Sequence, residues 1–298
     1  MLARAVKTQL AALNISFVET DLELDICNEQ NVQRFSEQGQ FTHIVNCAAF
    51  TRVDDAETQL TAAENVNGVG PGNLASAAAR IGASITHFST DYVFDGRASE
   101  PYSEAAACAP SGAYGRTKLV GEQRVLVTMP QQASIGRTVH VIRTSWLFGQ
   151  GGSNFVATML ALMTERELLR VVHDQHGRPT YTVDLSNAAL QLAGIGSTHG
   201  PFESGVYHFA NSDATHWYGF AKQILESATE LGFPIRTKLI EPVTTRDFPR
   251  PAPRPPYSVL STKRFENATG VVPRPWRDAL IDYLKNVKES QEPDHAGS

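Results

Sequence analysis

Residues 84–94 have the sequence Ser-Ile-Thr-His-Phe-Ser-Thr-Asp-Tyr-Val-Phe, and Tyr114-Gly115-Arg116-Thr117-Lys118 follows on the next predicted helix. The apolar first part is typical of a buried parallel strand that ends near Thr90. Tyr114 and Lys118 share one face of a helix because residues four apart are stacked neighbours. Such a pair alone also occurs as a solvated surface pair, so its meaning depends on Thr90 and the surrounding segments.

Thr90, Tyr114 and Lys118 together indicate a carbonyl-reducing site. A lysine ammonium beside a tyrosine stabilises the phenolate, so we expect Lys118 to lower the pKa of Tyr114 from its reference near 10. A tyrosine with such a pKa serves as a proton donor and acceptor. The Thr90 hydroxyl, at the carboxyl end of its strand, is placed to bond the same substrate oxygen.

Strands and helices alternate along the chain, as the apolar β-branched runs and the helical patterns between them show. The predicted strands are 15–18, 43–47, 84–89, 139–145 and 169–172, and the predicted helices are 2–13, 65–80, 111–129, 154–165 and 217–230. This alternation predicts an α/β fold with a doubly wound parallel sheet, the Rossmann-like, NAD(P)-binding class. Ligands bind such sheets beyond the carboxyl ends of the strands, where Ala48, Thr90 and Thr144 fall.

The change of pattern after about residue 149 predicts a second, smaller α/β unit that binds substrate. The dinucleotide-binding domain is predicted at 1–148, continued by about 168–199 and 237–262; the substrate lobe is predicted at 149–167, 200–236 and 263–290, and a disordered tail at 291–298. The proline-rich stretch 248–256 is interpreted as an ordered loop that brings Arg250 or Arg254 toward a phosphate. A ligand for a partner's aromatic groove is the alternative.

The composition is that of an ordinary non-membrane protein. A hydrophobic share of 42%, a charged share of 19% and a net charge of -5 give no bulk attraction to nucleic acid or anionic membranes. Neither a membrane span nor a secretory signal is visible. Cys27, Cys47 and Cys108 are scattered, and His173 and His176 lack further ligands, so we expect no disulfide framework and no metal. A reducing cytoplasm is the expected location.

Six segments resemble the extended short-chain dehydrogenases of the dTDP-4-dehydrorhamnose reductase type, in the family's order and over nearly the whole chain. They are 46–57, 89–94, 114–118, 143–146, 174–180 and 254–260. The resemblance implies reduction of the 4-keto group of dTDP-4-dehydro-L-rhamnose by NADPH or NADH, giving dTDP-L-rhamnose in the last step of its biosynthesis.

The resemblance also implies a role for each matching residue. Tyr114 would donate the proton, Lys118 would hold the nicotinamide ribose, and Thr90 would orient the keto oxygen. The cofactor-binding residues would be Asp21, Asp25, Ile26, Asn46, Cys47, Ala48, Ala49 and Asn67, with Tyr114 and Lys118. The substrate-binding residues would be Thr51, Val53, Asp91, Tyr92, Trp146, Arg178 and Arg254.

Several of these roles have structural alternatives. Asp21 is expected to end the second strand, where an acidic group bonds the ribose, and Asn67 is expected to assist the proton relay of the lysine. Asn67 is otherwise a helix-surface polar residue. Residues 47–49 also suit tight packing at a strand end, and Trp146 suits partly buried packing.

The start of the sequence departs from the family pattern. Members open with a strand and a Gly-x-x-Gly-x-x-Gly-type turn that cradles the pyrophosphate, whereas Met1 falls where that turn ends and Ala3 takes the third glycine's place. We expect the first strand and two glycines to be missing, which leaves backbone groups unpaired at about 1 to 3 kcal/mol each. A truncated or mis-started chain is the favoured hypothesis.

Two other functions stay open. The fold also resembles the regulatory β subunit of methionine adenosyltransferase, a non-catalytic subunit that binds a dinucleotide and a partner enzyme. A reductase of a related nucleotide sugar is the nearer alternative. Asp21 disfavours the 2′-phosphate of NADPH while Arg4 favours it, so the preferred cofactor stays open. We expect a nucleotide-sugar substrate and a homodimer.

Overall fold

The structure, a computed structural model, describes residues 1–129 and 136–290. Its α-helices are α1 Leu2–Ala12, α2 Glu29–Gly39, α3 Leu60–Glu64, α4 Gly70–Ile81, α5 Ala113–Thr128, α6 Phe155–Glu165, α7 Thr182–Leu192, α8 Trp217–Glu230, α9 Lys263–Thr269 and α10 Trp276–Glu289. Its strands are β1 His43–Asn46, β2 Ser84–Thr90, β3 Val139–Thr144, β4 Leu147–Phe148, β5 Leu168–Val172, β6 His176–Gly177, β7 Thr180–Tyr181, β8 Gly205–His208, β9 Thr215–His216 and β10 Leu239–Val243. Short 3₁₀ turns cover Asp55–Glu57, Asp91–Val93 and Thr245–Asp247, and a π-helical turn covers Asn65–Val69.

The main sheet is parallel and has the strand order β1-β2-β3-β8. Its register pairs Asn46 with His87 and Thr90 with Thr144, so consecutive strands end at the same edge. Successive side chains on a strand point to opposite faces, so these strands present apolar residues on both faces of the sheet. Helices cover each face. The α/β, doubly wound prediction is therefore confirmed.

Two hydrophobic clusters show how both faces of the main sheet are buried. Ile85 and Val139 pack with alanines of α4 and with Val125 of α5 on one face. Phe88 and Ile142 pack with α7 and α9 residues on the other. The strands of this sheet are apolar on both sides for that reason.

The prediction of a strand at 15–18 is wrong. Residues 15–20 form no strand, and β1 is the edge of the main sheet within the described part of the chain. A strand needs a neighbour to pair its backbone groups, and no neighbouring strand lies between this segment and β1. Asp21 consequently lies in an exposed turn instead of at a strand end.

A second core lies around α6, α8 and α10. It contains the fully buried Trp276, Phe220 and Phe148, and residues of β5 and β10, which pair in parallel, also belong to it. The remaining two-stranded pairs are β4 with β7 and β6 with β9. The domain boundaries stay a prediction, and the predicted tail at 291–298 lies outside the described residues.

Candidate active site

Three strands bring polar side chains to one edge of the main sheet. Thr90 ends β2 and Thr144 ends β3, and the two residues are register partners. Both are buried, and the Thr144 hydroxyl has no hydrogen-bond partner among the described residues. The Thr90 hydroxyl donates to Asp91 Oδ1 (3.0 Å) and accepts from the backbone N–H of Tyr92 (3.2 Å), which starts the turn after β2.

Helix α5 carries the Tyr-Lys pair into this edge. The helix begins after Gly112, and the backbone N–H of Ala113 donates to Glu57 Oε1 (2.8 Å), an acidic cap that suits a helix N-terminus. Lys118 is 2% exposed, and its Nζ donates to the carbonyl oxygen of Phe88 on β2 (2.7 Å). Burial lowers the pKa of Lys118 to about 8, and the Glu122 carboxylate opposes that shift.

The prediction that Lys118 lowers the pKa of Tyr114 is wrong in this structure. Burial raises the pKa of Tyr114 to about 12; the Thr90 hydroxyl lowers it in part by hydrogen bonding and the Asp91 charge raises it. The Lys118 ammonium is directed at a backbone carbonyl, which explains why it does not stabilise the phenolate. Tyr114 is therefore protonated at neutral pH, as a proton donor for reduction must be.

Asp91 and Tyr92 follow Thr90 directly and close the same edge. Burial raises the pKa of Asp91 to about 6, opposed by the hydroxyls of Ser258 and Thr90. Asp91 Oδ2 has no hydrogen-bond partner among the described residues. The Tyr92 ring packs edge to face on the Tyr114 ring, with 5.6 Å between centroids. Burial also raises the pKa of Tyr92.

The turn after β1 is held by Asn46. Its side-chain Nδ2 bonds His87 Nδ1 (3.0 Å), and its Oδ1 accepts from the backbone N–H of Ala48 (3.0 Å). Ala48 is exposed and Ala49 half-buried, so small side chains line this end of the strand. Cys47 packs against the core, where burial raises the pKa of its thiol to about 12. The packing and binding interpretations of this turn therefore coexist.

Asn67 does not contact Lys118. Its Oδ1 accepts from the backbone N–H of Phe50 (2.8 Å), while its Nδ2 donates to the Phe50 carbonyl (3.1 Å) and to the Thr117 hydroxyl (3.1 Å). The π-helical turn that interrupts the predicted helix at 65–80 turns this side chain inward. Asn67 therefore fixes the 48–54 loop against α5. Its part in a proton relay stays a prediction.

Trp146 stacks on Trp217 at 3.6 Å between centroids and 9° between planes. Trp146 has a left-handed backbone (φ 49°), which points its indole across Gly177. A Cβ on Gly177 would lie 2.5 Å from the Trp146 ring, so only glycine fits there. The Trp217 indole N–H donates to Gln175 Oε1 (3.1 Å). Trp217 was not identified as a site residue from sequence, where only its aromatic character pointed to such a role.

The two predicted substrate arginines have different surroundings. Arg254 Nη2 pairs with Asp54 Oδ1 (2.9 Å), which fixes the proline-rich stretch beside the 48–54 loop. Burial lowers the pKa of Arg178, and its Nε is buried without a partner among the described residues. Thr51 is exposed and Val53 half-buried on the same loop as Asp54. Arg250 lies over the Phe248 ring, 4.7 Å from its centroid.

Asp25 and Ile26 lie in the loop between α1 and α2. Asp25 is exposed and accepts from the backbone N–H of Cys27 (2.9 Å). Ile26 is half-buried against α4, where a Cβ on Gly70 would lie 2.4 Å from its side chain. The structure does not bring this loop, or Asp21, into contact with the Tyr-Lys pair. Their cofactor roles stay a prediction.

A buried ion pair behind the site escaped the sequence analysis. Glu122 follows Lys118 by four residues on α5, and Arg143 on β3 binds it with both side chains buried. The continued spacing Tyr-x-x-x-Lys-x-x-x-Glu was the available signal. The described residues include no group of three or more His, Cys, Asp or Glu side chains able to hold a metal.

The residues at the strand ends fit the nicotinamide end of a dinucleotide. Lys118 Nζ has three N–H bonds and, among the described residues, gives one to Phe88, which leaves donors for ribose hydroxyls. The unpartnered Thr144 hydroxyl and Asp91 Oδ2 add polar atoms at the same edge. The exposed backbone after Asn46 permits close approach of a planar ring.

The comparisons with known proteins agree with this geometry. The chain is 41% identical over 291 residues to a dTDP-4-dehydrorhamnose reductase of Mycolicibacterium smegmatis, covering 96% of this chain and 83% of that protein. A solved dTDP-4-dehydrorhamnose reductase of Clostridium acetobutylicum superposes with a TM-score of 0.87 at 39% identity, over 96% of each chain. The enzyme of Bacillus anthracis, solved in complex with NADP, superposes with a TM-score of 0.85 at 33% identity, over 96% of this chain and 95% of that one.

A sequence model of the RmlD substrate binding domain matches residues 1–289. Relatives of this identity and coverage, together with the shared parallel sheet, show to which family the chain belongs. It belongs to the RmlD family.

Proposed function

We propose that this protein is an NADPH- or NADH-dependent dTDP-4-dehydrorhamnose reductase, which reduces the 4-keto group of dTDP-4-dehydro-L-rhamnose to give dTDP-L-rhamnose. The meeting of the Thr90 hydroxyl, the half-buried Tyr114 phenol and the buried Lys118 ammonium at the end of β2 carries the proposal. The relatives named as this reductase and the NADP-bound neighbour support it. They favour it over a non-catalytic dinucleotide-binding subunit.

Each residue of the proposed site has a definite task. The dinucleotide supplies hydride to the carbonyl carbon when bound. Tyr114, protonated at neutral pH because burial raises its pKa, donates a proton to the oxygen as it becomes an alkoxide. Thr90 orients that oxygen, and the remaining N–H donors of Lys118 hold the ribose hydroxyls of the dinucleotide. Burial of Thr90 and Lys118 and partial burial of Tyr114 strengthen these interactions.

The sugar nucleotide is proposed to lie over the remaining residues of the edge. Asp91 Oδ2 and the Arg178 Nε are buried polar atoms without partners among the described residues, and both suit hydroxyl or phosphate groups. The stacked Trp146 and Trp217 present a flat apolar face for a sugar or base. The other predicted substrate residues lie on the 48–54 loop, in the turn after β2 and in the proline-rich stretch; they are Thr51, Val53, Tyr92 and Arg254. A homodimer and a cytoplasmic location stay predictions.

The test is NADPH oxidation, followed at 340 nm, with dTDP-4-dehydro-L-rhamnose and the Tyr114→Phe variant. We expect this variant to lose at least about a hundredfold in kcat, because a positioned general acid contributes on that scale. Turnover of only another 4-keto nucleotide sugar would identify the related reductase instead, and dinucleotide binding without turnover of any of them would identify the binding subunit.

Tyr92→Phe is the matched control. It removes only the hydroxyl from the ring that packs against Tyr114 and leaves both aromatic rings in place. We expect a change mainly in KM, with kcat within a few fold of the parent. Equal losses of kcat in both variants would contradict the assignment of Tyr114 as the proton donor.

A further inference from the structure

A buried ion pair lies directly behind the Tyr-Lys pair. Arg143 Nε donates to both Glu122 oxygens (3.0 and 3.1 Å), and its Nη2 donates to Oε2 (2.7 Å). The two side chains are 5% and 2% exposed. Both oxygens of the Glu122 carboxylate are therefore occupied by one guanidinium.

The Arg143 guanidinium is fixed by other groups as well. Its Nη2 also contacts Cys108 Sγ (3.2 Å), and its Nη1 lies 3.4 Å from His208 Nε2. Its central carbon lies over the Phe94 ring, 5.2 Å from the centroid. A guanidinium held on three further sides has one orientation, so its bidentate grip on Glu122 is part of the packed core.

Glu122 lies where it can compete with the Phe88 carbonyl for the Lys118 ammonium. The two residues are four apart on α5 and both are buried, so their side chains are neighbours on one helix face. A buried carboxylate without Arg143 would find its nearest cation in Lys118. Such a pairing would draw Lys118 Nζ away from the Phe88 carbonyl, which is its present partner at the end of β2.

We propose that Arg143 is a positioning residue for the reductase site: by occupying both oxygens of Glu122, it leaves the Lys118 ammonium directed at the strand end. The inference deepens the proposed function and rests on it for the role of Lys118. Arg143 acts through Glu122 and Lys118, and it contacts neither the Tyr114 phenol nor the Thr90 hydroxyl in the structure.

The other titratable groups around Lys118 leave Glu122 as the dominant one. His87 on β2 is buried, and burial and the Lys118 charge keep its pKa far below neutral pH, so it is uncharged there. Tyr114, with a raised pKa, is also neutral. Asp91 lies in the turn after β2, where the hydroxyls of Ser258 and Thr90 bond its carboxylate. The group that raises the pKa of Lys118 is Glu122.

The experiment measures Lys118 directly, by NMR titration of protein labelled with ¹³C at the lysine ε-carbon, with the signal assigned by its loss in Lys118→Arg. Arg143→Met should raise the pKa of Lys118 by about one unit or more, because Glu122 is then unopposed. Glu122→Gln should lower it, because Arg143 is then unpaired beside Lys118. The double variant Arg143→Met/Glu122→Gln should return it to within half a unit of the parent, roughly the scale of minor shifts.

Two controls separate positioning from general destabilisation. Arg143→Lys keeps the cation and should shift the Lys118 pKa less than Arg143→Met does. Arg274→Met removes the ion pair with Asp184 elsewhere in the fold and should lower the melting temperature without moving Lys118. Melting curves and one-dimensional spectra identify any variant that fails to fold, and the double variant, which leaves no buried charge unpaired, then carries the comparison.

Shifts of the same sign in Arg143→Met and Glu122→Gln would overturn the proposal, and so would a Lys118 pKa that Arg143→Met leaves unchanged. Because the titration needs no turnover, it tests the inference even if the proposed reductase activity fails. In an active enzyme, the alkaline limb of kcat/KM should move in the same direction as the Lys118 pKa in each variant.

Discussion

Asp91 is a buried carboxylate with an incomplete set of hydrogen bonds. Its Oδ1 accepts from the Thr90 hydroxyl, while Oδ2 has no partner among the described residues. A buried carboxylate with one oxygen lacking a hydrogen bond destabilises the fold and is typical of a site where a ligand supplies the missing partner. The arrangement suits a substrate hydroxyl at Oδ2, at the side of the proposed proton donor.

Asp91→Asn should therefore stabilise the protein at pH 7 by about 1 to 3 kcal/mol while weakening substrate binding. The folded-state pKa of Asp91, about 6, lies above the unfolded value of 3.8, so its contribution is favourable below pH 3.8 and is lost as pH rises through 6. Urea unfolding of both proteins at pH 4 and pH 7 checks this, and the gain in the variant should appear only at the higher pH.

Asp95→Asn is the control of opposite sign. Asp95 is half-buried and accepts from the Tyr102 hydroxyl, and that bond lowers the pKa of its carboxyl. Its contribution is present above the unfolded pKa and is lost as pH falls, so this variant should be the less stable one at pH 7. A loss of stability at pH 7 in Asp91→Asn as well would contradict the assignment of Asp91 as a destabilising carboxylate.

Helix α5 approaches its neighbours through glycines, at the element scale. A Cβ on Gly115 would lie 2.1 Å from the carbonyl oxygen of Tyr92, and one on Gly121 would lie 2.1 Å from that of Asn67. Backbone cannot yield as a flexible side chain can, so the helix would have to move. The glycine inside the Tyr-x-x-x-Lys motif thus sets how closely Tyr114 approaches the end of β2.

Gly115→Ala should lower the free energy of unfolding by about 1 to 3 kcal/mol, as overpacking does. It should also lower kcat by more than tenfold, because a displacement of about 1 Å in a catalytic group costs on the order of a hundredfold. Gly72→Ala on α4 is the matched control, since its Cβ would meet only the flexible Arg124 side chain at 3.3 Å. Chemical denaturation and steady-state kinetics measure both, and retained kcat in Gly115→Ala would refute the argument.

The elements that could be predicted from sequence are those with a local signal. Strands β1, β2 and β3 and the helix α5 follow from apolar runs and periodicity, and all are confirmed within a few residues. Residues 15–18 carry the same signal without forming a strand, because pairing depends on a neighbour that a local pattern does not reveal.

Prediction of the site was limited in the same way. Thr90, Tyr114 and Lys118 lie at the same end of β2, since their motifs determine both element and position. Their catalytic roles stay a prediction. The direction of the Tyr114 pKa was not predictable, because it depends on burial and on where the lysine ammonium points. The pairing of Trp146 with Trp217 and of Arg143 with Glu122 joins distant segments, which spacing alone does not connect.

At the scale of the whole molecule, the loops around the proposed site are joined by contacts between residues far apart in sequence. The Arg254–Asp54 pair joins two loops whose side chains are 18% and 28% exposed, and the backbone N–H of Ala252 donates to the same Asp54 oxygen (3.2 Å). One carboxylate therefore holds the proline-rich stretch in place beside the 48–54 loop. Arg254, which is predicted to bind substrate, is paired with Asp54 in this structure, and its role in substrate binding stays a prediction.

Asp54→Asn should loosen that stretch and raise KM for the nucleotide sugar about tenfold, while stability falls by about 1 kcal/mol or less, the scale of a partly exposed ion pair. Asp55→Asn is the control, because its pair with Arg52 is 66% and 45% exposed and should matter little. Initial rates over a range of substrate concentrations separate KM from kcat. Equal KM values for the two variants would show that the loop is held by other contacts.

The open edge of β1 has a consequence for how the protein behaves in concentrated solution. Within the described residues no strand pairs with that side of β1, and Phe17 and Val18, on the segment between α1 and α2, are exposed. An unpaired strand edge beside apolar side chains is a template for extended chains of other molecules. High protein concentration therefore favours intermolecular β-pairing at this edge. The yield of monodisperse protein then depends on whether the edge of β1 is covered.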